Sequence, residues 1–137
     1  MKKGVIILLT VFLLGCNKNS DVTDQYNLSA NPIITLKYKE CIDISDFGFK
    51  ICLDSILNDS RCPSGVDCVW EGDAQVSFSI KKADEIKLFR LHTHRNFKRD
   101  TTINGLKISL VSLTPYPGDG SAIDQKDYSA GIKVIDE

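Results

Sequence analysis

Hydrophobic and polar residues alternate most regularly between Cys68 and Ile80. The even-numbered positions carry the apolar set: Cys68, Trp70, Gly72, Ala74, Val76, Phe78 and Ile80. A period of two predicts a β-strand with one buried and one solvated face. At roughly 3.3 Å per residue this ribbon would be about 43 Å long, which is more than strands usually reach. We therefore expect a bulge or bend at Gly72, and we expect Trp70 to point into the core.

A second strand is expected over residues 86–94, after a polar turn at 82–85. Its apolar residues change phase between Leu88 and Phe89, which predicts a bulge there or a strand covered on both faces. The dipeptide Asn104-Gly105 is typical of a two-residue type I′ hairpin between strands over 97–103 and 106–113. A closing strand is predicted from alternate apolar residues: Tyr128, Ala130, Ile132 and Val134.

No part of residues 32–137 has a sustained helical period. The pattern predicts an all-β domain of about seven antiparallel strands, arranged as a sandwich or a small barrel and braced by disulfides. No substantial helix is expected outside the N-terminal signal peptide. About 105 residues make one domain with a core of ordinary size.

Four cysteines lie in this domain, and an even number in an exported chain indicates disulfides with three possible pairings. In a hairpin over residues 41–52, a register that places Ile42 opposite Ile51 and Asp43 opposite Lys50 also places Cys41 opposite Cys52. Apolar side chains then meet each other, and charge meets countercharge. This register favours Cys41–Cys52 and leaves Cys62–Cys68 as the second bridge. The spacings match no zinc finger pattern.

Loop 62–68, closed by its own disulfide, has Asp59 and Arg61 just outside it and Trp70 just after it. For Trp70 we expect core packing against the Cys62–Cys68 bridge, and ligand stacking is the alternative. For Asp59 and Arg61 we expect an ion pair that holds the loop in place, and ligand binding is again the alternative. These three residues are the possible binding residues that the sequence offers.

The same segment resembles a group of small bacterial secreted proteins and lipoproteins of uncharacterised function. The resemblance depends on a D-S-R-C-P…C-x-W-x-G signature: Asp59, Ser60, Arg61, Cys62, Pro63, Cys68, Trp70 and Gly72. A second block resembles the ending of the same group: residues 113–117, Ile123, Asp127 and Tyr128. The resemblance implies a fold and no mechanism.

His92 and His94 are two residues apart, so on a strand they share a face, and imidazole is a good ligand for zinc or copper. A metal site is disfavoured because the two histidines share a strand face with Arg90 and lie beside Arg95, and the positive charge of these arginines opposes a cation. Only a spatial neighbour such as Asp100 would complete the ligand set. We therefore predict no cofactor and keep a metal site or enzyme centred on the two histidines as the alternative hypothesis.

The N-terminus predicts the location of the protein. Lys2 and Lys3 precede an apolar run of ten residues, which is too short to span a bilayer and typical of a secretory signal peptide over residues 1–15. The following Cys16 completes a segment that resembles a lipobox, which implies a cysteine carrying diacylglycerol and an N-acyl chain such as palmitate. Residues 16–31 are then the lipidated cysteine and a flexible linker. Asn17 resembles the sorting position of outer-membrane lipoproteins.

The net charge of the chain and the absence of known catalytic motifs argue against some classes of function. Without Lys2 and Lys3 the chain has 15 basic and 18 acidic side chains, which argues against nucleic acid as a partner. No phosphate-binding glycine-rich loop and no nucleophile elbow occurs, so no catalytic residue is predicted. The sequence predicts a lipid-anchored binding or structural module of the cell envelope. Its expected partners are the membrane, through the anchor, and an envelope protein or small ligand.

Overall fold

The computed structural model describes residues 33–118 and 121–137, which form eight strands. The strands are β1 (Ile33–Lys37), β2 (Cys41–Ile44), β3 (Phe49–Asp59), β4 (Ala74–Lys82), β5 (Glu85–His92), β6 (Asp100–Ile103), β7 (Leu106–Thr114) and β8 (Ser129–Asp136). They make two antiparallel sheets: sheet one in the order β1-β8-β7-β6, and sheet two in the order β2-β3-β4-β5. The all-β prediction is confirmed, with eight strands where about seven were expected.

The helical content of the described ranges is two short 3-10 helices, Ser45–Phe47 and Gln125–Asp127. Within these ranges no helix has the length and apolar character needed to cross a bilayer. The predicted signal peptide, the lipidated Cys16 and the linker lie outside the described residues.

The first hairpin has the predicted register. Cys41 lies opposite Cys52 and Ile42 opposite Ile51, and a disulfide joins the two cysteines. Ile42 and Ile51 are buried, as is every inward-facing partner in this hairpin. Gly48 ends the intervening 3-10 helix in the left-handed conformation, with φ of 64°. Local pairing of apolar with apolar residues was therefore enough to predict this register.

The central strand is shorter than predicted. It begins at Ala74, and Trp70 lies before it with 53% of its surface exposed, so the prediction of a core tryptophan is wrong. The physical reason is Gly72, which has φ of +73° and passes so close to the Ser60 carbonyl oxygen that any Cβ would collide with it. The chain therefore bends away from the core at Gly72, as expected of that glycine, and Trp70 is carried outward.

The predicted irregularity in β5 is also wrong. Pairing between β4 and β5 continues without a shift from Gln75–His92 to Lys82–Glu85. Ile86 and Leu88 are exposed, whereas Phe89 and Leu91 are buried. Because β5 is the edge strand of sheet two, its outer face stays open to solvent and accepts these apolar side chains without a bulge.

The second predicted hairpin is confirmed: Asn104 and Gly105 have φ of 54° and 79° and join β6 to β7. The buried core lies between the sheets. Its largest fully buried side chains are Phe78, Ile34, Leu36, Ile44, Ile51, Leu53, Leu91, Leu106, Ile108, Ile132, Val76 and Val134. This core supports one end of the sandwich, where β3, β5 and β7 end and β4 and β8 begin.

Candidate functional site

Arg61 joins the two sheets at this end. Its Nε and Nη2 donate hydrogen bonds to the Asp59 carboxylate at 2.8 and 2.6 Å, and Asp59 is the last residue of β3. Its Nη1 donates to the Leu113 carbonyl oxygen in β7 at 2.6 Å, and Nη2 also donates to Pro115 at 2.9 Å. The predicted Asp59–Arg61 ion pair is present next to loop 62–68. Because Arg61 also binds Leu113, it connects sheet two to sheet one.

Tyr128, the residue before β8, adds a third side chain to this ion pair. Its hydroxyl donates to Asp59 at 2.8 Å. Burial and this hydrogen bond raise the pKa of Tyr128 to about 12. Burial alone would raise the pKa of Asp59, but the hydrogen bonds from Arg61 and Tyr128 outweigh it and hold that pKa below its usual range. We call Asp59, Arg61 and Tyr128 the latch. Its two charges neutralise each other, and its polar side-chain groups are hydrogen-bonded.

Asp73 organises the adjoining corner between β5 and β6. It is buried, and it accepts hydrogen bonds from His92 Nδ1 at 2.6 Å, from the His94 backbone N–H at 2.9 Å, and from Thr93. Burial opposes its ionisation, yet these donors keep the pKa of Asp73 lowered. The carboxylate thus fixes residues 92–94 at the end of β5, a role that the sequence analysis missed.

Each histidine has an acidic partner, Asp73 for His92 and Glu71 for His94, and a second polar neighbour. His92 Nε2 lies 3.1 Å from the Gln75 amide nitrogen, and His94 Nε2 lies 2.9 Å from Glu71. His94 Nδ1 accepts a hydrogen bond from the Asn96 backbone N–H. Asp100 is the first residue of β6. Across residues 33–118 and 121–137 no group of three potential metal ligands occurs. The metal or enzyme hypothesis stays a prediction.

Exposed aromatic rings surround the same corner, and we call Trp70, Phe97 and Tyr116 the aromatic rim. Trp70 packs on the His94 ring with centroids 5.6 Å apart, and Phe97 contacts His92 and His94 at 5.2 and 5.6 Å. All three rim residues are about half exposed. Large aromatic residues grouped at a surface are typical of binding sites.

A cleft of about 280 Å³ opens beside the rim. Its lining residues are Arg61, Glu71, Gly72, Thr93, His94, Arg95, Arg99 and Tyr116. A second cavity of about 250 Å³ shares four of them, Arg61, Thr93, Arg99 and Tyr116, and extends to apolar residues of β7. We treat the two cavities as one cleft, with Arg99 and Tyr116 at the junction.

All three possible binding residues predicted from the sequence lie at this end of the sandwich, but they have different roles. They are Asp59, Arg61 and Trp70. Asp59 and Arg61 form the latch, with the Arg61 guanidinium 5.0 Å from the Tyr116 ring centre. Trp70 belongs to the rim. Arg99 and Tyr116 were not predicted, because they come from distant segments and no local pattern marks them.

The resemblance described for residues 59–72 stays a prediction. Comparison of the chain with known proteins finds no matching family model, no similar curated protein and no similar solved structure.

Proposed function

We propose that this protein is a lipid-anchored binding module of the bacterial cell envelope, attached to the outer membrane through Cys16, with the cleft and the aromatic rim as its binding surface. The observation that carries the proposal is the position of Trp70, the only tryptophan of the chain. Half of this ring is exposed beside the cleft, directly after the disulfide-closed loop 62–68. Burying a tryptophan stabilises a fold by a few kcal/mol, so leaving it exposed favours a role in binding.

The direction of the chain supports the same proposal. β1 starts at Ile33 and ends at Lys37, which pairs with Ser129 beside the latch. The N-terminal linker therefore joins the domain about 13 Å along the strand from the cleft end, at 3.3 Å per residue. A tether at Ile33 therefore does not occupy the cleft.

Lipidation is tested by metabolic labelling with an alkyne fatty acid. The wild-type chain is expected to incorporate the label, and Cys16→Ser is expected to lose it completely. Undiminished label on Cys16→Ser would overturn the proposed anchor.

Binding is tested through the fluorescence of Trp70, whose quenching by acrylamide reports its exposure. Isolated peptidoglycan and protein-free outer-membrane lipids, neither of which contains tryptophan, are each mixed with the full chain in detergent. At least one is expected to protect Trp70 from quenching in a saturable manner.

The matched control moves the reporter to another exposed site. In Trp70→Phe/Leu88→Trp the single tryptophan lies on the outer face of β5, where Leu88 is 69% exposed. This variant should gain no protection. Equal protection at both sites would indicate adsorption, and no protection of Trp70 in any fraction would contradict the binding role.

A further inference from the structure

Among the described residues, Arg99 is the cation of the cleft without an acidic partner. In the part of the chain that the structure describes, no carboxylate lies within ion-pair distance of it. Its Nη2 donates to the Leu110 carbonyl oxygen at 3.3 Å, while its Nε is buried without a hydrogen-bond acceptor. A guanidinium has five N–H donors, and a partly desolvated, unpaired cation attracts an anion more strongly than one in water.

The other charges of the cleft are balanced. Arg61 is neutralised by Asp59 at 2.6 Å. Glu71 is the acidic group of the lining, and it is engaged by His94 at 2.9 Å and approached by Arg95 at 3.9 Å. The surplus charge of the cleft is therefore positive and centred on Arg99.

One wall beside Arg99 is apolar. Leu110, Val111 and Leu113 of β7 line the second cavity together with the Tyr116 ring. Strand β6 begins only at Asp100, which pairs with Ser109, so residues 111–113 of β7 have no strand neighbour on this side. Leu110 and Leu113 are buried, but Val111 is 40% exposed where sheet one is incomplete, and a ligand held at Arg99 would lie against Val111 and Tyr116.

We propose that the cleft binds a small organic anion whose carboxylate pairs with Arg99 and whose apolar part lies against Val111 and Tyr116. The inference rests on the proposed function and names its ligand class. Arginine suits a carboxylate because its planar donors match the two oxygens. Together the two cavities, of about 280 and 250 Å³, reach the size range of small-molecule sites.

The test uses the full chain in detergent and three probes: hexanoate, its neutral analogue hexanamide, and inorganic phosphate. Trp70 fluorescence and the melting temperature are measured during each titration. Hexanoate is expected to bind saturably and at least tenfold more tightly than hexanamide, since only hexanoate has the charge. Phosphate, which has no apolar part, is expected to bind more weakly than hexanoate.

Arg99→Gln is expected to weaken hexanoate binding at least tenfold, whereas Arg90→Gln is the matched control and should change it less than threefold. Arg90 is exposed on the outer face of β5 and does not line either cavity of the cleft. Arg99→Lys retains the charge without the planar donors and should bind with intermediate affinity, which covers the case in which Arg99→Gln does not fold.

Three outcomes would overturn the inference: equal binding of hexanamide and hexanoate, unchanged binding by Arg99→Gln, or no saturable binding of hexanoate. Phosphate binding as tight as that of hexanoate would overturn the part of the inference that gives the ligand an apolar contact. If Trp70 is still protected by an envelope fraction, the binding role stands and only the ligand class is wrong. If both experiments fail, the proposed function fails with the inference.

Discussion

The Arg61 guanidinium and the Asp59 carboxylate lie 2.6 Å apart, and their side chains are only 6% and 9% exposed. This ion pair is connected to the opposite sheet through Leu113 and Tyr128. Two sheets that share a core but few backbone hydrogen bonds need such a connection at their ends. Arg61 also lines both cavities of the cleft, so the stability of the fold and the shape of the candidate site depend on the same residue.

Asp59→Asn is expected to lower the free energy of unfolding by about 3–5 kcal/mol, because it leaves Arg61 charged and buried without a countercharge. Urea unfolding followed by circular dichroism measures the change. The matched control is Asp43→Asn, which removes the exposed pair with Lys50 at 3.8 Å and should cost less than about 1 kcal/mol. Equal costs for the two variants would show that the latch contributes no more than a surface pair.

Acid is expected to destabilise the domain through Asp59 and Asp73. Both carboxylates have a pKa lowered in the folded protein. An aspartate has a pKa of about 3.9 in an unfolded chain, so their stabilisation is fully present above that pH and is lost as pH falls through the lower folded value. Unfolding free energies between pH 6 and pH 2 test this. In Asp59→Asn the slope below pH 4 should be shallower, and an unchanged slope would contradict the assignment.

The accuracy of the sequence-based predictions depends on how local the determining contacts are. The Cys41–Cys52 register and the Asn104-Gly105 turn are set by neighbouring residues, and both were predicted. The alternating pattern around Trp70 was misleading, because the bend depends on Gly72 meeting Ser60, which is twelve residues away in sequence. Arg99 and Tyr116 reach the cleft only through the pairing of the sheets, so no linear pattern could identify them.

Gly72→Ala is expected to destabilise the domain severely and to change the environment of Trp70. The new Cβ would be strained at φ of +73° and would also collide with the backbone of Ser60. Gly48→Ala is the control, since Gly48 has a similar φ of +64° and open space around it, so only the conformational cost of about 1–2 kcal/mol applies. Thermal melting and Trp70 emission measure both effects. A cost for Gly72→Ala no greater than that for Gly48→Ala would contradict the close approach.

Tyr128 should be recognisable by its late ionisation. Its folded pKa is raised to about 12, whereas a tyrosine in an unfolded chain ionises near pH 10. Because the folded value is higher, this group stabilises the fold below pH 10, and that contribution is lost as pH rises towards 12. The absorbance of tyrosinate, recorded during rapid alkaline titration, should show a step near pH 12 that Tyr128→Phe lacks.

The same variant should lower the free energy of unfolding at pH 7 by about 1 kcal/mol, since Asp59 loses one hydrogen-bond donor but keeps Arg61. If the step missing from Tyr128→Phe were centred near pH 10, the phenol would not be donating to Asp59. The latch would then be a pair of residues without its connection to β8.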